Sequence, residues 1–373
     1  MGRETAAADS TRISKLAPEH ALTAVNDDGL WRVGFLRRLL DYCDIVRADD
    51  PAASFLYAEA ACALASRIPV GRSDYDGYGD ASEAIVWLSY ARAVLAASAR
   101  SSGRRELAED HYLLADRGLQ RLASPPRWLR AQVALRYASF LFLDENRPDD
   151  ALALLDEALE SFAAEESEVG IARQGLADAS TVRAVFRALQ GSADAFLDFA
   201  RALDFADRRT ARGRTTYDLA LFNLLVATSV IETPLLEQGK ALALIRRVRR
   251  SMSHSPRLRR LRLLWAEGRL LANLGLRDDA LDLLRRVYEH MTTKHAGSHF
   301  DIAMITLDLG RLLTDEPAAR DRLVERALDI LHADDAEAAL AAAVAAMARR
   351  DMTSECIADV QKRFFADRQA QAA

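Results

Sequence analysis

Residues 146–159 and 275–288 repeat one order of polar and apolar positions. Each has a residue tolerant of left-handed backbone, Asn146 or Gly275, then an acidic first turn, Asp149-Asp150 or Asp278-Asp279. A leucine-rich helix with a small residue, Ala151 or Ala280, follows. The acids suit a helix N-terminus, and the small residue lets a second helix approach closely. Leu, Ala, Arg and Glu, all good helix formers, dominate the chain, and alternating β-branched runs are nearly absent. The pattern predicts a helical repeat with almost no sheet.

With the small residue as a phase marker, the repeat recurs at Ala108, Ala151, Ala195, Ala241 and Ala280, at spacings of 43, 44, 46 and 39 residues. Twelve positions before the marker the chain has Ala96, Ser139 and Gly268; five before it has Gly103, Asn146 and Gly275. Two units depart from this. Arg183 occupies the small position before Ala195, and an insertion over 232–239 precedes Ala241. Leu309-Gly310-Arg311 opens a further unit with a shortened turn at Thr314-Asp315-Glu316-Pro317. Asp49-Asp50-Pro51 starts a helix with Ala58, Ala61 and Ala65 on one face, read as half of a capping unit.

These positions resemble the tetratricopeptide motif, and the chain is similar to bacterial tetratricopeptide-repeat proteins over roughly residues 35 to 350. The repeat itself is about 34 residues, so extended helices and linkers such as Ser167-Glu168-Val169-Gly170 account for the longer spacing. The blocks Arg47 to Pro51, Tyr78-Gly79 and Leu264 to Arg269 are similar to a group of such proteins encoded near signalling or transcription regulators. The resemblance implies an all-α, right-handed α-solenoid of stacked antiparallel helix pairs. The expected organisation is a flexible segment over 1–30, the repeat domain over 31–350, and a capping helix and tail over 351–373.

A formal charge of −5 and a pI near 5.9 supply no global basic field for nucleic acid or anionic membrane. Lysine occurs only at Lys15, Lys240, Lys294 and Lys362, so arginine carries nearly all the positive charge. Cys43, Cys62 and Cys356 form no Cys-x-x-Cys pair and suit reduced thiols in a cytoplasmic protein. The first thirty residues are polar and unlike a signal peptide, and the alanine run 338–346 is too short and weakly apolar for a bilayer span.

Catalytic and metal-binding patterns find little support. Asp74 to Asp80, with Glu83, superficially resembles a calcium loop, but Tyr78 and Ile85 fall where its fifth and twelfth ligands belong. His290, His295 and His299 lack a zinc-site spacing and read as solvated loop residues. No Gly-x-Ser-x-Gly elbow or phosphate loop occurs, so a non-enzyme without cofactor is expected. Eight arginines between Arg246 and Arg262 suit helix C-terminal chemistry better than nucleic acid, since Trp265 is the one nearby aromatic.

The repeat register, carried over from the resemblance, places first-helix positions on a concave groove. They are Tyr90 and Arg100; Arg136, Tyr137 and Phe140; Arg187; Phe222 and Asn223; Arg262, Trp265, Arg269 and Asn273; and Arg311. Little acid accompanies them, Asp144 and Asp308 being the exceptions. A one-residue register shift would instead put Tyr137, Phe140 and Trp265 in helix interfaces. The groove reading implies a scaffold that takes a protein or peptide segment with acidic or C-terminal carboxylate groups, on arginine contacts and aromatic anchors. The alternative is a regulator whose solenoid changes shape on sensing a small ligand or signalling peptide.

Overall fold

The computed structural model describes residues 16–27, 33–47, 50–68, 81–145, 147–165, 169–230, 237–251, 257–293 and 299–333. The calcium-like loop 74–80, the alanine run 338–346, the tail 351–373, Asn146 and Cys356 lie outside these residues, as do the side chains of His295 and His299.

Among the described residues the chain is all helix, without strand. After a 3-10 turn at Pro18–His20 come α1 (Ala21–Asp27), α2 (Val33–Val46), α3 (Pro51–Ala65), α4 (Ala81–Ser101), α5 (Arg105–Gln120), α6 (Arg127–Leu143), α7 (Pro148–Ala163) and α8 (Val169–Leu189). They continue as α9 (Ala195–Phe205), α10 (Ala211–Val230), α11 (Gln238–Ser251), α12 (Arg257–Asn273), α13 (Arg277–Thr293), α14 (His299–Leu312) and α15 (Pro317–Ala333). They fall into two compact units. The first comprises Met1–Phe142, Arg147–Val182 and Ala202–Tyr217; the second comprises Leu143–Asn146, Arg183–Arg201 and Asp218–Ala373.

Local chemistry sets the helix boundaries. Asp50 caps α3 by accepting a 2.9 Å bond from the Ala53 amide, with Pro51 at the first helical position. Pro148 opens α7 in the same way, followed by Asp149 and Asp150. Gly103, Gly191 and Gly275 have φ of 75°, 77° and 78°, and each closes a helix with the same pair of bonds. At Gly275 its own N–H donates to Ala272 O at 3.1 Å, and the Leu276 N–H donates to Leu271 O at 3.0 Å. Gly191 repeats this four rather than five positions before its marker alanine, so the sequence register passed over it.

The five marker alanines are fully buried. In the second unit, Ala241 and Ala280 share a core with Leu225, Ile245, Leu263 and Leu270. Gly268, at the small position of α12, lies against Leu284 of α13, where an added Cβ would come within 2.6 Å of Cδ2. The Ala280→Leu variant should therefore overpack this core and cost about 1–3 kcal/mol in urea unfolding. Asp150→Ala, at an exposed ion pair with Arg147, should cost under about 1 kcal/mol. An unchanged midpoint for Ala280→Leu would overturn the register.

In the first unit α3 packs against α1, α2 and α4. Ala58, Ala61 and Ala65 are buried as expected, and so are Phe55, Tyr57, Ala60 and Leu64 on its other sides. The helix is thus enclosed by neighbours.

Candidate ligand-binding face

In the second unit, Arg262, Trp265, Arg269 and Asn273 stand at helical spacing on α12 and meet α14 through a ladder of polar contacts. The Arg262 guanidinium donates to both Asp301 oxygens, with Nη2 2.7 Å from Oδ2. Asp308 Oδ2 accepts from Trp265 Nε1 at 2.6 Å and from Arg269 Nε, while the Arg269 guanidinium lies 4.2 Å from the Trp265 ring centroid. Asn273 Nδ2 donates to the Ser229 carbonyl on α10 at 3.0 Å, and its Oδ1 accepts from Arg311 Nη2 at 3.2 Å.

The structure thus brings five of the expected residues together but changes their roles. Trp265 is buried, packed with Leu261, Leu284, Val287, Met291 and Ile305, so it is a core residue with a polar tip. Phe222 is core with Leu225 and Ile245, while Asn223 is half-buried on α10. Arg187 pairs at 2.8 Å with the fully buried Asp198 of α9. Arg183, at the small position of its unit, makes a forked contact with the same carboxylate, at 2.6 and 3.0 Å.

In the first unit Arg136, Tyr137 and Phe140 do not share one face. Arg136 is buried. Its Nη2 donates to Asp44 Oδ2 of α2 at 2.6 Å, and its guanidinium lies 5.2 Å from the Tyr90 ring centroid. Phe140 is in the core, 1% exposed. Tyr137 stacks on it with centroids 6.0 Å apart, and lines an open cavity of about 670 Å³ with Leu113 and Leu119 of α5 and Leu154 of α7. Successive helical residues project about 100° apart, which separates Arg136 from Tyr137. Arg100 is half-buried at the end of α4.

The expected scarcity of acid is also corrected. Asp41 and Asp44 of α2 and Asp178 of α8 converge on Arg212 of α10; Arg212 Nη2 is 3.1 Å from Asp44 and 3.0 Å from Asp178. Asp178 Oδ1 also accepts from Thr216 at 2.8 Å and Gln174 at 2.9 Å. Desolvation pushes the Asp44 carboxyl upward, but Arg136, Arg47 and Arg212 outweigh it and hold the group well below the usual carboxylate range. Desolvation acts against the Arg212 charge, and the surrounding aspartates overcome it and raise its pKa. Apart from Arg47, three residues from Asp44, the arginines lie far from these acids in sequence, Arg136 and Arg212 being 92 and 168 positions from Asp44, so linear proximity did not reveal them.

Among the described residues no three His, Cys, Asp or Glu side chains are grouped to hold a metal, and no helix is long and apolar enough to cross a membrane.

No family model matches the chain, and no curated protein matches it. A solved structure, the crystal structure of Rap protein complexed with Competence and Sporulation Factor, matches with probability 1.00 and a TM-score of 0.55. At 14% identity the match covers 99% of this chain and 99% of that one. The likeness establishes fold, and with the buried marker alanines and paired helices it makes this chain a tetratricopeptide-like helical protein, an all-α solenoid of stacked helix pairs.

Proposed function

We propose that the chain is a non-enzymatic scaffold, in the cytoplasm of a bacterial cell, that binds a protein or peptide segment in the concave groove formed by its first helices. The observation that carries this reading is the near full-length likeness to a repeat protein crystallised with a separate factor. The first-helix face supports it, because Arg262, Asn273 and Arg311 of α12 and α14 stay partly exposed beside the buried Arg269, Asp301 and Asp308 and can meet a polar segment. Most of these arginines already have aspartate partners, so an acidic or C-terminal carboxylate of the segment would add to this network or exchange with it. Contact with a signalling or transcription regulator is part of the same proposal.

A second reading, a regulator that changes shape on binding, draws on Arg212. Its three aspartate partners come from α2 and α8, so a ligand carboxylate that took Arg212 would break the tie between these two helices through that guanidinium, while Arg136 kept its hold on Asp44 of α2.

The test is selection from a displayed library of linear peptides with free C-termini, followed by calorimetry on the full chain. At least one sequence should bind at about micromolar strength, and more weakly as salt is added. A library that yields nothing tighter than scrambled controls would overturn the scaffold reading.

A further inference from the structure

We propose that the cavity bounded by α5, α6 and α7 is a ligand site of its own, and that it takes a free α-amino acid with a large apolar side chain. It is distinct from the Arg136 contacts of the first-helix face. The second helices α5 and α7 contribute to it, and α6 turns a different side to it from the one that bears Arg136.

The cavity has a direction. α5 and α7 finish where α6 begins. The loop from Leu122 to Pro125 leads from α5 into α6 and lines the cavity, and Arg127, at the start of α6, donates to the carbonyl of Ala164, just past α7, at 3.1 Å. Asp116 and Gln120 of α5, Arg130 of α6 and Glu157 of α7 all fall toward that end. Tyr112, Leu113, Tyr137 and Leu154 come from the same three helices, about one or two turns farther from it. From Arg130 to Tyr137 the lining extends about 10 Å along α6.

The far half is apolar and preformed. The Tyr112 and Tyr137 ring centroids lie 5.3 Å apart, and the Tyr112 hydroxyl donates to the Arg136 carbonyl at 2.9 Å, which fixes that ring. Leu113, 46% exposed, leaves apolar surface uncovered beside them. A volume of about 670 Å³ lies within the range of small-molecule sites and is ample for an indole or phenyl group. Covering Leu113 and the Tyr137 ring supplies the affinity.

Charge at the near end selects the head of the ligand. Asp116 accepts from Gln120 Nε2 at 2.6 Å. Arg130 and Glu157 are exposed, and among the described residues neither side chain has a hydrogen bond or ion pair, with the other or with a third group. A simple amine would engage Glu157 and leave Arg130 unused; a simple acid would do the reverse. An α-amino acid carries ammonium and carboxylate on one carbon, from which its side chain leaves as a single apolar body. That matches a cavity with opposite charges at one end and aromatic rings at the other.

Calorimetry on the full chain tests this with L-tryptophan, L-phenylalanine and L-leucine. Glycine serves as the control without an apolar body. The methyl ester and the N-acetyl derivative of the tightest of the three serve as controls without the carboxylate and without the ammonium. At least one of the three amino acids should saturate the protein with a dissociation constant below about 1 mM, and glycine should not. Masking either head-group charge should weaken binding about tenfold or more. Arg130→Gln should reduce the amino acid to the level of its ester, and Glu157→Gln to that of its N-acetyl derivative. Both side chains are on the surface, and circular dichroism checks that each variant keeps its helix. No saturation by any of the three up to about 5 mM would overturn the site. So would binding that either variant leaves undiminished, or an ester or N-acetyl derivative that binds as tightly as the amino acid. The peptide library tests the scaffold reading alone, so the two proposals fail separately.

Discussion

Replacing Asp198 with alanine should destabilise the second unit by about 3–5 kcal/mol, among the largest losses expected from any single side chain. Asp198 is fully buried, and its two oxygens hold Arg183 in a forked contact and Arg187 at 2.8 Å. Removing the carboxylate takes from the buried Arg183 the anion it forks onto, and most of the cost comes from that loss. A change that removes charge and polarity together, Arg183→Met with Asp198→Leu, should recover much of the loss because neither side is then left unpaired. Arg201→Ala should cost under about 1 kcal/mol, since that side chain is 60% exposed and 3.6 Å from Asp198. Urea unfolding of the four proteins decides the matter; a loss below about 1 kcal/mol for Asp198→Ala would show that the pair is dispensable.

The same pair shows how far the sequence could be read. Helical class, the turns at Gly103 and Gly275, and burial of the marker alanines were legible because they depend on residues close in the chain. Arg183 looked like decay of the repeat, since nothing adjacent explains an arginine where a small residue belongs. Its explanation lies fifteen residues later, across a turn, in Asp198. The ladder from α12 to α14 joins residues up to 43 positions apart, and Asp41 meets Arg212 across 171. Such distances are set by stacking, which periodicity does not specify. The direction of each side chain was equally hidden. Arg136 and Tyr137 are neighbours in sequence but face different helices, and a groove register shifted by one residue exchanges Phe140, Phe222 or Trp265 between groove and core.

Neutralising Asp44 should have the second large effect, this time in the first unit. Asp44 Oδ2 lies 2.6 Å from Arg136 Nη2 and 3.1 Å from Arg212 Nη2, and Oδ1 lies 2.7 Å from Arg47. Asp44→Asn keeps the side-chain size but removes the anion that three guanidinium groups share, and should cost about 3 kcal/mol at neutral pH. Asp41 and Asp178 still face Arg212, so the cluster is weakened and not emptied. The pH dependence has a defined sign. Because the folded-state pKa of Asp44 is depressed by its arginine neighbours, the fold keeps the group ionised where the unfolded chain has taken up a proton. Its contribution is therefore complete above the unfolded value, roughly pH 4, and is lost progressively as pH falls below that toward the folded value. Wild-type unfolding free energy should drop more steeply below about pH 4 than that of Asp44→Asn, so the gap between the two proteins narrows in acid. Parallel curves across that range would mean that Asp44 is not held by these arginines in solution, and that α2 is anchored by its apolar contacts and by Asp41.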